Sequence, residues 1–346
     1  MEASVGFGLC AVLVGGVLQG SMLVPMKFTR RWAWENTWAG FSSMAYLLAP
    51  WALALFLVSH FPALLWQVPS RVLITTLLFG VSMGIGALMM GVGYRYVGMA
   101  IAFAIVLGLS SSFGTLVPLL VLAPEDALTR RGISVMGGVL IALVGTAVVA
   151  WASWERDKEK KNSLEVQSPA VESARSSAIG LALCVSSGLL SSAGNLGFAF
   201  GGLISQKARE FGAGPTGSGS ATWTVILLPV FLCNFIYSLY LLRKNQTAHL
   251  FREPGTAGYW GLAILMGALW MGGMASYAAG ALSLGKLGTS MGWILFTSSM
   301  IIVSSVCGAI TGEWKGSSLR TVSIMVAGVG ILLLAVVVVG MAGASS

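Results

Sequence analysis

The chain has 346 residues, of which 56% are hydrophobic and only 9% charged, with 45 glycines and a formal net charge of +8. Soluble domains carry about 25% charged residues, so this composition excludes one. The apolar runs are continuous, not short and alternating, which points to membrane-spanning helices and away from an outer-membrane barrel; in such a chain an excess of Lys and Arg marks cytoplasmic loops, not nucleic acid.

Apolar runs long enough to cross a hydrocarbon core, about 20 residues as helix, fall at about 4–24, 38–59, 71–93, 98–122, 132–153, 177–203, 222–242, 258–282, 287–310 and 320–342. Ten transmembrane helices are expected, making an all-α integral membrane protein. The first run has no basic lead and reads as a retained helix. Two turns, Gly93–Gly98 and Leu284–Gly288, must be made within a few residues, which their glycines permit. Between the fifth and sixth runs, residues 155–176 hold ten charged side chains and cannot enter hydrocarbon. This charged linker divides the chain into an N-terminal half, 1–154, and a C-terminal half, 177–346. Five spans on each side imply two inverted five-helix repeats, the plan of secondary transporters that enclose a shared midplane site.

Traces of duplication accompany that plan. Gly8, Leu9 and Gly16 recur at an offset of 172 as Gly180, Leu181 and Gly188. Gly98 and Ala102 answer to Gly288 and Gly292, and Pro50 and Pro229 interrupt the second and seventh spans. Connections after odd-numbered spans carry 14 Lys and Arg against 6 after even-numbered spans. The positive-inside rule then puts the odd connections in the cytoplasm and both termini in the periplasm of a cell inner membrane. The four cysteines lie singly in apolar runs without metal-ligand spacing, and no cofactor or metal is implied.

All twelve acidic residues fall in loops or at span edges, so no helix centre offers a carboxylate as proton carrier. Glu35 and Glu313 come nearest, beside Trp34, Trp38 and Trp314; each reads as an interfacial anchor or as a coupling or gating group. Arg95, after the third span, joins them as a gating candidate. Solute contact is left to uncharged polar and aromatic residues: Gln19, Tyr94, Asn195, Trp270, Tyr277 and Trp293, with Tyr46 nearby. Aromatic faces stack on the C–H surface of a sugar and amides pair with its hydroxyls. Asn195 leads this set, because an amide in hydrocarbon must find a partner, although an interhelical hydrogen bond meets the same need. Two isolated histidines, His60 and His249, and serine runs without a histidine partner argue against an intramembrane hydrolase. Nothing matches a phosphate-binding loop, which argues against an ATP-driven pump.

Three segments, WAWENTW at Trp32–Trp38, GIGALMMGVGYRYVGMAIAFAIVLG at Gly84–Gly108 and Gly312-Glu313-Trp314, resemble the bacterial L-rhamnose/proton symporter family of the drug/metabolite transporter superfamily. The resemblance covers nearly the whole chain. It implies a ten-helix secondary transporter that moves a deoxy sugar with a proton by alternating access, about a cavity lined by spans 1, 3, 4, 6, 8 and 9. The implied partners are a small solute, a proton and the lipid bilayer. Departures fall in the expected pocket: Ala87, Met89 and Met90 replace two asparagines and a tyrosine of the family, Gly273 replaces a glutamine, and Thr289, Ser290, Met291 and Gly292 replace a Gln-Tyr-Asp-Tyr run. Loss of hydroxyl-pairing groups relaxes or changes recognition, which implies a sugar or related small metabolite. A drug/metabolite exporter or facilitator, or a membrane sugar sensor reporting through residues 155–176, remains open from the residues themselves.

Overall fold

The computed structural model describes residues 5–163 and 174–344; the side chains of residues 94, 95, 99, 100, 161–163 and 174–177 lie outside the described part. Among the described residues, ten helices are long and apolar enough to cross a bilayer. They are α1 (Val5–Ser21), α2 (Trp34–Leu57), α3 (Ser70–Val97), α4 (Met99–Leu122) and α5 (Arg130–Ser163). The second five are α6 (Ala174–Phe200), α7 (Pro215–Lys244), α8 (Ala257–Ser283), α9 (Gly288–Ile310) and α10 (Leu319–Ala344). The chain is a multi-pass membrane protein.

Local chemistry explains where these helices bend and stop. Within α2 a wide π-type turn, Ser43–Leu48, runs into Pro50, whose missing N–H breaks the i to i−4 ladder. A single residue, Gly98 at φ +83°, separates α3 from α4, and Gly285 at φ +75° opens the turn between α8 and α9; both conformations suit glycine. The charged linker begins inside α5, which continues as helix through Glu155–Lys160 to Ser163. Lys, Glu and Arg are good helix formers, so polarity ends the membrane span there without ending the helix. Residues 164–173 of the linker lie outside the described part.

Helix association in lipid draws on close packing, since burial from water supplies little. Here α1 packs on α8 and α9, and α6 packs on α3 and α4. Likewise α3 packs on α7 and α8 on α2, while α5 and α10 pair with each other. Shifting each helix number by five exchanges these contacts. The glycines matched in sequence follow the same exchange: Gly8 faces Leu284 after α8, and Gly180 faces Tyr96 and Val97 at the end of α3. Gly16 faces Phe296 and Ser299 of α9, and Gly188 faces Val106 and Leu109 of α4. A Cβ on Gly16 would sit 2.5 Å from the Ser299 Cβ, so the approach of α1 to α9 requires glycine.

The connections after α1, α5, α7 and α9 are tied together at one end of the bundle, the odd end, by side chains including Lys27, Trp32, Arg156 and Glu313. At the opposite, even end, the short helices Phe61–Gln67 and Gly202–Glu210 share an apolar cluster that includes Leu64 and Ile204. Lys286 there pairs with Glu125 at 3.2 Å, and Val5 and Gly343, near the two chain ends, line one cleft with Lys286.

Candidate functional site

Asn195 is fully buried on α6 and reaches three other helices. Its Nδ2 donates to the Gly114 carbonyl of α4 at 2.7 Å and to the Thr289 carbonyl of α9 at 3.2 Å. Its Oδ1 accepts from the Tyr277 hydroxyl of α8. Tyr277 is also fully buried. Its ring packs against Trp293 and Phe296 of α9 at 5.3 and 5.1 Å between centroids, and against Phe198 of α6 at 5.7 Å. Trp293 in turn donates Nε1 to the Ser110 carbonyl at 3.2 Å and lies so close to Gly114 that a Cβ there would meet the indole nitrogen at 2.5 Å. Asn195, Tyr277 and Trp293, separated by up to 98 positions in sequence, form one polar and aromatic node.

Gln19 and Trp270 form a second cluster. With the Gln19 amide oriented to suit its surroundings, its oxygen accepts from Trp270 Nε1 at 2.7 Å and its nitrogen donates to the Trp270 carbonyl at 3.1 Å. Tyr46 of α2 meets Trp270 edge to face at 4.9 Å. Trp270 lies halfway along α8, and Tyr277 is seven residues on, about 10 Å along the axis toward the even end. The two clusters therefore stand at different depths, whereas the sequence suggested one midplane site. Tyr94 and Arg95 lie near the end of α3, and their side chains are outside the described residues.

The acidic candidates sit at the odd end in two separate contacts. Glu35 is 5% exposed, and its Oε1 accepts from Asn245 Nδ2 at 2.9 Å and Thr247 Oγ1 at 2.7 Å. Glu313 pairs with Lys27 and with Arg156, at 3.3 Å in the second case, while its carbonyl accepts from Lys160. The Arg156 guanidinium lies over the Trp314 ring at 5.0 Å. Beside this network is a cleft of about 190 Å³ between α4, α5 and α9, lined by Arg156, Ser304, Glu313 and Trp314 among others. At the even end a cleft of about 400 Å³ is lined by Asp126, Arg131, Lys286 and Met291. The Glu125 carboxyl there is held below its ordinary value of 4.5, first by its own backbone N–H and then by Lys286.

Several participants were not singled out from sequence. Ser111 of α4 and Thr297 of α9 share a hydrogen bond of 2.8 Å beside Trp293. Trp223 of α7 joins the rings around Tyr277, 6.5 Å away, but in sequence it looks like one more packing aromatic. The departures from the family pattern also have a geometric account. A Cβ on Gly273 would lie 2.9 Å from the Gly15 carbonyl oxygen, and one on Gly292 would lie 3.2 Å from the Tyr277 ring, so these glycines let α1 and α9 close on α8. Thr289 serves through its carbonyl, which any residue provides.

The family profile described as L-rhamnose-proton symport protein matches residues 1–345. The L-rhamnose-proton symporter of Salmonella dublin is 25% identical over 352 residues, spanning 100% of this chain and 100% of that protein. The L-rhamnose-proton symporter of Salmonella gallinarum is 25% identical over 348 residues, spanning 99% of each.

Proposed function

Because this chain belongs to the L-rhamnose-proton symporter family, we propose that it is a secondary transporter that moves an L-rhamnose-like deoxy sugar, or a related small metabolite, together with a proton. The observation that carries this reading is the Asn195 node: one buried amide joins α4 of the first half to α6, α8 and α9 of the second, through bonds to Gly114, Tyr277 and Thr289. A carrier needs such a polar point shared between its halves, where a sugar hydroxyl can exchange for a protein partner while rings cover its apolar face. Tyr277 and Trp293 supply the rings, and Gln19 with Trp270 forms a further contact point deeper in the bundle. Tyr94, expected beside them, lies near the odd end of α3, where Gly180 faces Tyr96, and so stands apart along the axis from Asn195, which lies toward the even end of α6.

The halves are read as inverted repeats. Support comes from five spans in each half and from the exchange of helix contacts on shifting by five. Residues 1–154 and 177–346 are the repeats, joined by the charged segment between them. The odd end is placed in the cytoplasm of the inner membrane and both termini in the periplasm, on the strength of 14 of 20 Lys and Arg lying in odd connections.

For the proton, Glu35 is the favoured coupling group. It is the one acidic side chain among the described residues that is buried, and its partners Asn245 and Thr247 are neutral. A carboxylate held by neutral donors can take up a proton without breaking an ion pair. Glu313 acts as a gate through Lys27 and Arg156, and Arg95 is assigned the same role from its place in the turn before α4. The test is uptake of labelled L-rhamnose into proteoliposomes under an imposed inward proton gradient. Accumulation above equilibrium that a protonophore abolishes is expected. Uptake indifferent to the protonophore would leave a facilitator or exporter of the same superfamily, and no uptake would remove rhamnose as substrate.

A further inference from the structure

We propose that Trp223 and Ser220 of α7 form a second sugar-contacting subsite, continuous with the Asn195 node, in which the Trp223 indole N–H donates to a substrate hydroxyl. The inference rests on the sugar-carrier reading and extends it to a helix that the sequence left outside the cavity. Trp223 is 0% exposed, and its Nε1 has no acceptor among the described residues. Other indoles inside the bundle differ: Trp32, Trp38, Trp270 and Trp293 all donate to protein oxygens. Trp51 also lacks an acceptor, but it packs on Phe61 in the peripheral cluster at the even end.

A buried donor without a partner costs about 1–3 kcal/mol, and a phenyl ring would fill most of the same volume without that cost. The nitrogen therefore calls for a partner at some other stage of the protein's work. Ser220 repeats the pattern three residues earlier: it is fully buried and its Oγ has no partner among the described residues. Residues three apart on a helix share a face, so α7 presents two free hydrogen-bonding groups side by side. The setting matches sugar chemistry. The Trp223 ring stacks on Phe198 at 5.5 Å with 11° between planes, and both rings adjoin Tyr277, whose hydroxyl is held by Asn195. A pyranose needs apolar faces for its C–H surface and polar atoms at its hydroxyl edge, and this corner of the bundle offers both. Phe198 of α6 and Tyr277 of α8 cover Trp223, so on this proposal a sugar reaches the subsite only where α7 parts from them.

The test compares wild type with Trp223→Phe, which keeps the ring and its stacking but removes the N–H, and with Ser220→Ala. Initial rates of labelled L-rhamnose uptake into proteoliposomes give KM and Vmax, and thermal unfolding without sugar gives a structural control. Trp223→Phe is expected to raise KM about tenfold, or about 1.4 kcal/mol, with Vmax retained and the unfolding midpoint unchanged or higher. Ser220→Ala is expected to raise KM about threefold. Unchanged KM in both variants would overturn the subsite, as would a fall in unfolding midpoint that accounts for the loss of transport. Failure of the wild type to take up L-rhamnose removes rhamnose as the substrate and overturns the subsite as a rhamnose contact, whereas wild-type uptake with unaltered variants strikes only the subsite.

Discussion

The two ends of the bundle are held shut by different means. At the odd end, four connections are stitched together by side chains: Glu313 with Lys27 and Arg156, Glu35 with Asn245 and Thr247, and Glu159 with the Ser318 and Thr321 hydroxyls at 2.6 and 2.7 Å. At the even end, among the described residues, one ion pair, Lys286 with Glu125, spans two connections, and both partners are largely exposed. Exposed pairs contribute about 0–1 kcal/mol, whereas partly enclosed networks with shared partners contribute more. The contrast suits a carrier resting with its odd end latched. A latch made of half-exposed ions can also reopen, because water replaces its bonds at modest cost.

The largest effect is expected from cutting the latch. Glu313→Ala removes the shared anion and leaves Lys27 and Arg156 facing each other. In a background without the four native cysteines, Ser298→Cys, buried on α9, should then react with a water-soluble maleimide about tenfold faster, equivalent to about 1.4 kcal/mol. An unchanged labelling rate would mean that Glu313 does not hold that end closed.

At the even end the effect should be small. The Glu125 pKa is depressed in the folded protein, so its contribution to stability is present above the unfolded value and is lost as pH falls through the folded one. Its carboxylate is solvated, and Lys286→Ala should shift the unfolding midpoint at pH 7 by less than about 1 °C. Any pH dependence from this pair should be confined to the range below the ordinary carboxylate value of 4.5. A Lys286→Ala loss matching that of Glu313→Ala would erase the difference between the ends.

Much of the architecture could be read from the chain because the bilayer imposes it. Ten apolar runs became ten helices, and the two turns flagged by glycine are made at Gly98 and Gly285. Matched glycines such as Gly16 and Gly188 face corresponding helices because close packing leaves no room for side chains there. The site was legible only in part. Asn195, Tyr277 and Trp293 do converge, since a buried amide and hydroxyl in lipid must find each other. Their depth was not legible, because residue type carries no register between α6 and α8. Nor was the role of Trp223, since an indole N–H with and without an acceptor looks the same in sequence. Charge marks where the fifth span leaves hydrocarbon but not where its helix stops, since helix propensity carries α5 on to Ser163.

Recognition at the buried amide is the claim on which the rest turns, and Asn195→Ala addresses it most directly. L-rhamnose should raise the unfolding midpoint of the wild-type protein, and Asn195→Ala should fold with a lower midpoint of its own and show no rise with sugar. An equal rise in both proteins at the same sugar concentration would contradict the account and remove Asn195 from the binding site.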